Sequence, residues 1–282
     1  MRTSGVLVLE EIALHATAHR GLGVRLAGVA AAFALTSIAT SAGAITYGTI
    51  DTTHPFVGAI IVDFQGRFNL GVIEWCSGSL VSPRVFLTAG HCTDGLDVYE
   101  IPVDRVWISF ALRIWDPGAE RRNVVSWLKH PDYRWGPTSD PHDVGAVILE
   151  EPADGRGLAT LAPVGYLDEL AATGGLRSAR FVNVGYGSNQ HAFVDGWRKA
   201  STSGFLSLHD AWLYMSQNIH TGSGGTCFGD SGGPTFHGDG RAEYVVATVS
   251  WGDARCVATN INYRADLAST HAFVASTVAA NP

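Results

Sequence analysis

The sequence predicts an all-β fold, because short apolar runs recur along the chain and turn-forming residues separate them. These runs are rich in β-branched and aromatic residues, and glycine, proline and aspartate cluster between them. Such a pattern is typical of strands joined by turns. The predicted strands cover residues 57–62, 85–88, 105–110, 144–149, 180–184 and 244–250.

One helix is expected at the C-terminal end, over residues 266–279. Leu267, Phe273 and Val278 recur there at helical spacings, and no glycine or proline interrupts the segment. Residues 150–157 are instead rich in turn formers and lack any periodicity, which predicts a linker between two halves of the fold.

The composition is that of a folded globular protein. Of the 282 residues, 46% are hydrophobic and 16% are charged, so the chain has ample material for a core and too little charge for disorder. The net charge is −7 and no run of lysine or arginine occurs, which argues against nucleic acid as a partner. Only two lysines stand against seventeen arginines, a bias that predicts a GC-rich bacterial source.

Residues 1–44 are typical of an export signal. Two arginines precede an apolar stretch at 26–39, and the small residues at 42–44 match a signal-peptidase site. The apolar stretch is shorter than the roughly 20 residues that a membrane-spanning helix needs. We therefore expect a secreted protein without a membrane anchor, whose mature domain covers residues 45–282.

The cysteines predict two disulfides, since an exported chain with an even number of cysteines commonly pairs them. Three pairings are possible from the sequence alone. The four residues are Cys76, Cys92, Cys227 and Cys256. Zinc is the competing interpretation, but no C-x-x-C pair is present. No carboxylate cluster has the spacing of a calcium loop, and we expect neither a metal ion nor a cofactor.

Two short motifs carry the chemistry. The motif GDSGGP at 229–234 surrounds Ser231 with small residues that leave backbone N–H groups accessible. A serine hydroxyl is a weak nucleophile at neutral pH and needs a base to take its proton. The motif TAGHC at 88–92 offers His91 for that role.

A carboxylate is needed to orient the imidazole, and Asp143 is the best candidate. Asp132 and Asp140 lie close by, but only Asp143 directly precedes an apolar run, at 144–149. A residue at the start of a buried strand can be both buried and hydrogen-bonded, as this role requires. The chain order is then His, Asp, Ser, one of the three known orders of this triad.

With these motifs in this order, the chain resembles the chymotrypsin/trypsin-like serine proteases from about residue 45 to its end. The separations of 52 residues from His91 to Asp143 and 88 from Asp143 to Ser231 fit the family. The resemblance implies two six-stranded antiparallel β-barrels, at about 45–155 and 156–265, with the active site between them. It also implies serine endopeptidase activity on proteins or peptides, and protein inhibitors as further partners of a monomer.

The resemblance assigns further residues. The N–H groups of Gly229 and Ser231 are expected to form the oxyanion hole, and Ser250 is expected to donate a hydrogen bond to Asp143. The implied disulfides are Cys76–Cys92 and Cys227–Cys256. The implied substrate pocket comprises Gly225, Thr226, Phe228, Ser250, Trp251 and Gly252.

The pocket floor bears on substrate preference. Trypsin-like members that cleave after Arg or Lys carry an aspartate six residues before the nucleophile, where this chain has Gly225. Burying an unpaired cation between neutral walls is unfavourable. We therefore expect an apolar residue before the cleaved bond. Large aromatic and medium aliphatic side chains both stay open, because Ile261 lies where the family often has a Pro-Gly pair.

An activation step is also implied. The segment from Ile45 to Gly48 resembles the start of mature family members, whose free amino group pairs with the aspartate before the nucleophile, here Asp230. Ile45 directly follows the signal-peptidase site, so signal removal alone is expected to activate the enzyme. A rival start at Ile50 has a more typical distance to Cys76.

Two other functions compete. The motif at 229–233 also fits G-x-S-x-G, the nucleophile elbow of α/β-hydrolases, but Pro234 disfavours the helix that such an elbow needs. A binding protein that has lost catalysis is the second rival. Such relatives typically lack one triad member, whereas this chain has all three.

Overall fold

The computed structural model describes residues 45–282 except 137, 190, 192 and 239–241, so the predicted export signal at 1–44 lies outside the described residues. The strands are β1 (Thr49–Ile50), β2 (Val57–Asp63), β3 (Val72–Leu80), β4 (Val85–Thr88), β5 (Val106–Ser109), β6 (Arg122–Lys129), β7 (Gly145–Leu149), β8 (Arg180–Gly185), β9 (Lys199–Leu208), β10 (Trp212–Ser216), β11 (Pro234–Gly238), β12 (Glu243–Gly252) and β13 (Thr259–Arg264). The α-helices are α1 (Gly90–Val98), α2 (Tyr166–Ala172) and α3 (Ala268–Ala280). Short 3₁₀ turns cover Arg67–Asn69, Val103–Arg105, Gly175–Ser178 and Ile219–Thr221.

The first barrel is a closed antiparallel sheet with the strand order β2-β3-β4-β7-β6-β5. It closes because β5 pairs back onto β2, with Ala59 opposite Ser109. Its most apolar strands are buried along their whole length, as the continuous hydrophobic sequence of β7 predicts. Val57, Ala59 and Ile61 of β2 lie in the core.

The second barrel has the order β8-β9-β10-β13-β12-β11 and closes where β11 pairs with β8, with Thr235 opposite Asn183. The short strand β1 extends this sheet by pairing with β9. Residue 46 likewise bridges to Gly225. The first described residues therefore join the second barrel, whereas the predicted boundaries include them in the first.

Helix α3 packs against both barrels. Phe273 of α3 lies in one apolar cluster with Leu87 of β4 and Tyr263 of β13. The prediction of two six-stranded barrels and a C-terminal helix is confirmed, and the α/β-hydrolase alternative is wrong, because Pro234 begins a strand instead of a helix. In the described part of the chain, no helix is long and apolar enough to cross a membrane.

The barrel strands bring the motif residues together. Strands β4 and β7 pair with Thr88 opposite Gly145. The segment after β4 therefore begins beside the segment before β7, which places His91, at the start of α1, next to Asp143. The loop before β11 carries Ser231 from the second barrel.

Candidate active site

His91 and Asp143 form a close pair. Asp143 Oδ2 lies 2.9 Å from His91 Nδ1, and Asp143 Oδ1 accepts a hydrogen bond from the His91 backbone N–H at 2.8 Å. Ser250 Oγ donates to the same carboxylate. Because Asp143 can only accept when ionised, His91 Nδ1 carries the proton and Nε2 is left as an acceptor.

The electrostatics of this pair follow from its burial. Asp143 is 4% exposed. Burial opposes the charge on His91, but the Asp143 carboxylate outweighs it and raises the pKa of His91 above its usual 6.5. Burial likewise opposes ionisation of Asp143, yet His91 and the Ser250 hydrogen bond hold the pKa of Asp143 below its usual 3.8. The carboxylate therefore stays ionised beside the imidazole near neutral pH.

The rival carboxylates do not take this place. Asp140 accepts a hydrogen bond from the His142 N–H at 3.0 Å and another from the Tyr263 phenolic Oη at 2.9 Å. Asp132 uses its backbone N–H to donate to His130 Nδ1 at 3.1 Å. Neither carboxylate contacts His91 within the described residues.

The nucleophile loop packs directly on the His91 segment. Ser77 of β3 holds it, because the Ser77 N–H donates to the Ser231 carbonyl at 2.9 Å and Ser77 Oγ donates to the Gly229 carbonyl at 3.0 Å. Gly232 has φ +76°, and a Cβ there would lie 2.5 Å from Ala89 N. Only glycine allows this approach of the two backbones.

The expected oxyanion donors are available. Among the described residues, the N–H groups of Gly229 and Ser231 donate to no other group. Gly229 has φ +95°, a conformation that favours glycine. No hydrogen bond joins Ser231 Oγ to His91 in the described part of the chain, and such catalytic bonds are often long until substrate binds.

Asp230 is fully buried behind this loop. Its carboxylate accepts backbone hydrogen bonds from Gly187 at 2.8 Å and Cys227 at 2.9 Å. Burial raises the pKa of Asp230 to about 7, although these hydrogen bonds and the charge of Lys199 act in the opposite direction. The raised pKa means that no neighbouring positive charge fully compensates the burial of the Asp230 carboxylate.

Ile45 and Ile50, the two candidate N-terminal residues of the mature chain, differ in burial. Ile45 is fully buried, and its neighbour Thr46 exchanges backbone hydrogen bonds with Gly225 at 3.0 and 3.1 Å. Ile50 is 47% exposed, and the Asp51 carboxylate after it binds His54 at 2.9 Å. Ile45 therefore lies against the nucleophile side of the second barrel, whereas Ile50 lies on the surface.

The expected pocket residues fall into two groups. Gly225 and Thr226 are buried, whereas Phe228, Trp251 and Gly252 are exposed. Ser250 is half-buried, and its Oγ donates a hydrogen bond to the Asp143 carboxylate. Thr226 Oγ1 donates to Asn260 Oδ1 at 2.8 Å, so the buried wall is neutral and polar. Ile261 is buried in the strand pair opposite Trp251.

Sequence reasoning missed two buried side chains near this loop. Gln217, after β10, packs against Gly225. Glu74 of β3 packs against Gly229, where a Cβ would lie 2.1 Å from Glu74 Oε2. Both Glu74 oxygens are buried and have no hydrogen-bond partner among the described residues. Burial and the nearby Asp230 carboxylate raise the pKa of Glu74 well above its usual 4.5.

The cysteines form the disulfides that the resemblance implied, Cys76–Cys92 and Cys227–Cys256. The first ties α1 to β3, and the second ties the nucleophile loop to the segment after β12. Both sulfurs near His91 are in the first disulfide. They are therefore not thiolate ligands, and the zinc interpretation of these cysteines is wrong.

Comparisons with known proteins agree with this geometry. The family described as Trypsin matches residues 53–272. Coagulation factor IX of Cavia porcellus is 22% identical over 67% of this chain and 68% of its own length. Trypsin beta of Drosophila erecta is 24% identical over 74% and 79%. Venom serine protease Bi-VSP of Bombus ignitus is 27% identical over 72% of this chain, and the match spans 59% of that protein.

The two-barrel fold and the serine protease relatives define a serine endopeptidase. The chain belongs to the trypsin family, whose match covers most of its length. These three relatives are animal proteins, so they give no support to the predicted bacterial source.

Proposed function

We propose that the protein is a secreted endopeptidase that cleaves peptide bonds with His91, Asp143 and Ser231 as its catalytic triad. The observation that carries the proposal is the Asp143 carboxylate, which accepts hydrogen bonds from His91 and Ser250 directly beside the Ser231 loop. Asp143 thereby orients the imidazole with Nε2 free to act as a base.

The reaction follows the serine protease scheme. Ser231 Oγ attacks the carbonyl carbon of the cleaved bond, while His91 Nε2 takes the hydroxyl proton. The oxygen of the tetrahedral intermediate takes the negative charge and accepts hydrogen bonds from the Gly229 and Ser231 N–H groups. His91 then gives its proton to the departing amine as the C–N bond breaks. Water, deprotonated by His91, hydrolyses the resulting ester and regenerates Ser231.

The pocket is proposed to favour apolar side chains over Arg and Lys. Gly225 and Thr226 supply a neutral wall, with Phe228, Trp251 and Gly252 at the mouth. An unpaired cation buried there would cost more than about 1.4 kcal/mol, or at least a tenfold loss in kcat/KM.

Cleavage after Arg or Lys is the alternative that the relative named trypsin beta favours. Such cleavage requires a carboxylate in the pocket. The first candidate is Asp253, which directly follows the pocket residue Gly252 in the sequence. Asp253 Oδ1 already accepts hydrogen bonds from the Ala258 and Thr259 N–H groups, each at 2.8 Å. These backbone hydrogen bonds lower the pKa of Asp253 and hold its carboxylate against residues of its own loop.

Activation is proposed to follow removal of residues 1–44, with the new Ile45 amino group pairing with Asp230. The burial of Ile45, the Thr46–Gly225 hydrogen bonds and the incompletely neutralised Asp230 support this assignment. The mature domain is then 45–282, active outside the cell on proteins or peptides, as a monomer open to protein inhibitors.

A peptide-library profile of the purified enzyme beside Ser231→Ala tests the proposal. The wild type should cleave after apolar residues, and Ser231→Ala should lose on the order of 10⁶ in kcat. Equal cleavage by both proteins would contradict Ser231 as nucleophile. Dominant cleavage after Arg or Lys would contradict the proposed pocket and leave the triad intact.

A further inference from the structure

Lys199, the first residue of β9, is a buried lysine whose side chain lies on the same face of the second barrel as the Asp230 carboxylate. Lys199 pairs directly with Gly185 of β8. Directly paired residues project to one face of a sheet, with their Cβ atoms about 4.5 to 5.5 Å apart. On that face, a Cβ built on Gly185 would lie 2.3 Å from Asp230 Oδ1. Because Gly185 has no side chain, nothing from that residue separates Lys199 from Asp230.

The Lys199 ammonium is only partly satisfied in this position. Its side chain is 4% exposed, and lysines are almost never buried so deeply unless they are paired. An ammonium has three N–H donors. Among the described residues, Lys199 Nζ donates only to Asp195 Oδ2. Two of its donors are therefore free for a second acceptor.

The two carboxylates near this ammonium differ in burial. The Asp195 side chain is 17% exposed, and its Oδ1 also accepts a hydrogen bond from the Trp197 N–H at 3.1 Å. Asp230 is fully buried. Burial raises the pKa of Asp230, and the positive charge of Lys199 acts in the opposite direction. Because a charge interaction is stronger in a buried site than near water, Asp230 depends more on this cation than Asp195 does.

We propose that Lys199 is a positioning residue for the oxyanion hole, which supplies Asp230 with a positive charge that does not depend on the N-terminus of the chain. The inference rests on the proposed function, in which a paired Asp230 shapes the nucleophile loop. Before residues 1–44 are removed, the Ile45 nitrogen is part of a peptide bond and carries no charge. Lys199 then gives the unprocessed chain a basal peptidase activity. Asp195 limits that activity, because it holds the ammonium away from Asp230.

Two forms of the protein, the full chain and the chain that begins at Ile45, test the inference on one peptide substrate. Lys199→Met should lower kcat/KM of the full chain by at least about tenfold, because it removes the charge nearest to Asp230. In the chain that begins at Ile45 the same change should cost less than about threefold, since the new amino group supplies a cation. Mass spectrometry after each assay establishes that the full chain keeps residues 1–44. Denaturant unfolding establishes that each variant is folded.

Asp195→Asn provides an independent gain of function. The asparagine is neutral, so Asp230 becomes the stronger attractor of the ammonium, and kcat/KM of the full chain should rise by about three- to tenfold. The rise should vanish when Lys199→Met is added, whereas Lys199→Arg alone keeps the charge and should retain most of the full-chain activity. Lys129→Met is the matched control, because it removes the only other lysine and its ion pairs with α1. It should leave the activity ratio of the two forms unchanged.

The outcomes separate this role from the proposed function. A merely structural lysine would lower the activity of both forms by the same factor in Lys199→Met, and that result would overturn the role of Lys199 while leaving the triad intact. A wild-type full chain without measurable activity, or no gain in Asp195→Asn, would overturn it as well. Failure of the wild-type chain that begins at Ile45 to cleave any peptide would instead contradict the proposed function itself.

Discussion

The two sides of the cleft differ in how completely their polar groups are paired. On the first-barrel side, the Asp143 carboxylate is held by His91 and Ser250 before any substrate is present. On the second-barrel side, the Gly229 and Ser231 N–H groups and Gln217 Oε1 have no partners among the described residues. His91 is thus oriented in advance, whereas these second-barrel groups are unpaired in the same structure.

Asp143→Asn should cause the largest loss on the paired side. The asparagine cannot hold the His91 tautomer that leaves Nε2 as an acceptor, and kcat should fall by about 10⁴. Steady-state kinetics on one peptide measures it. Asp140→Asn and Asp132→Asn are matched controls, because their carboxylates do not contact His91. If either control abolished activity while Asp143→Asn stayed near wild type, the third member of the triad would be misassigned.

The same variant should change the pH profile. His91 acts as a base only when neutral, so kcat/KM must rise as the pH increases through the His91 pKa. Since Asp143 raises that pKa above 6.5, the acid limb of the wild type should lie above pH 6.5. In Asp143→Asn the residual activity should show this limb at lower pH. An unmoved limb would mean that another group controls it.

The activation step tests the second-barrel side of the cleft. A chain that begins at Ile45 should be more active than one that retains extra residues before it, by about 10²- to 10⁴-fold. The reason is that a buried ion pair between the new amino group and Asp230 is worth about 3 to 5 kcal/mol when one partner is removed. Asp230→Asn should abolish the difference. N-terminal sequencing of the secreted enzyme gives the natural start, and a start at Ile50 or later would contradict activation by signal removal alone.

A smaller effect is expected from Glu74, on the pH dependence of the free energy of unfolding. Its pKa is raised in the folded state, so the native protein keeps a proton that the unfolded chain loses above about pH 4.5. The free energy of unfolding should therefore fall as the pH rises from 4.5 towards the folded pKa, by at most about 1.4 kcal/mol per pH unit.

Glu74→Gln mimics the protonated side chain and should remove this decline. Denaturant unfolding at a series of pH values measures it, with exposed Glu151→Gln as the matched control. The stability of Glu74→Gln relative to wild type should grow with pH above 4.5. Parallel pH curves for the two proteins would show that Glu74 ionises normally in the folded state.

The sequence predicted those parts of the fold that have a strong local pattern. Strand β4 lies at the predicted 85–88, and the apolar runs of β2 and β7 are also strands. Strands β3 and β9 are rich in small and polar residues, and their pairing in the barrels is what makes them strands. Helix α1 was not predicted, because Gly90 and Gly95 are weak helix formers. The disulfide at Cys92 anchors this helix to β3.

The residues of the site likewise divide into those that a sequence pattern predicts and those that it does not. His91 and Ser231 lie in motifs, and Asp143 was found from the apolar run after it. Gln217 and Glu74 lie in no motif, and only the packing of their side chains against Gly225 and Gly229 places them near the site. A glycine in a predicted pocket was the available signal, because some other side chain must fill the space that it leaves.

Covalent labelling of Ser231 tests the central claim most directly. A fluorophosphonate probe forms a bond between phosphorus and the activated serine oxygen as fluoride leaves, and peptide mass spectrometry identifies the modified residue. The triad of His91, Asp143 and Ser231 predicts one modification, at Ser231, in the chain that begins at Ile45, and none in Ser231→Ala or His91→Ala. Modification of a different residue, or an active enzyme that the probe leaves unmodified, would contradict it.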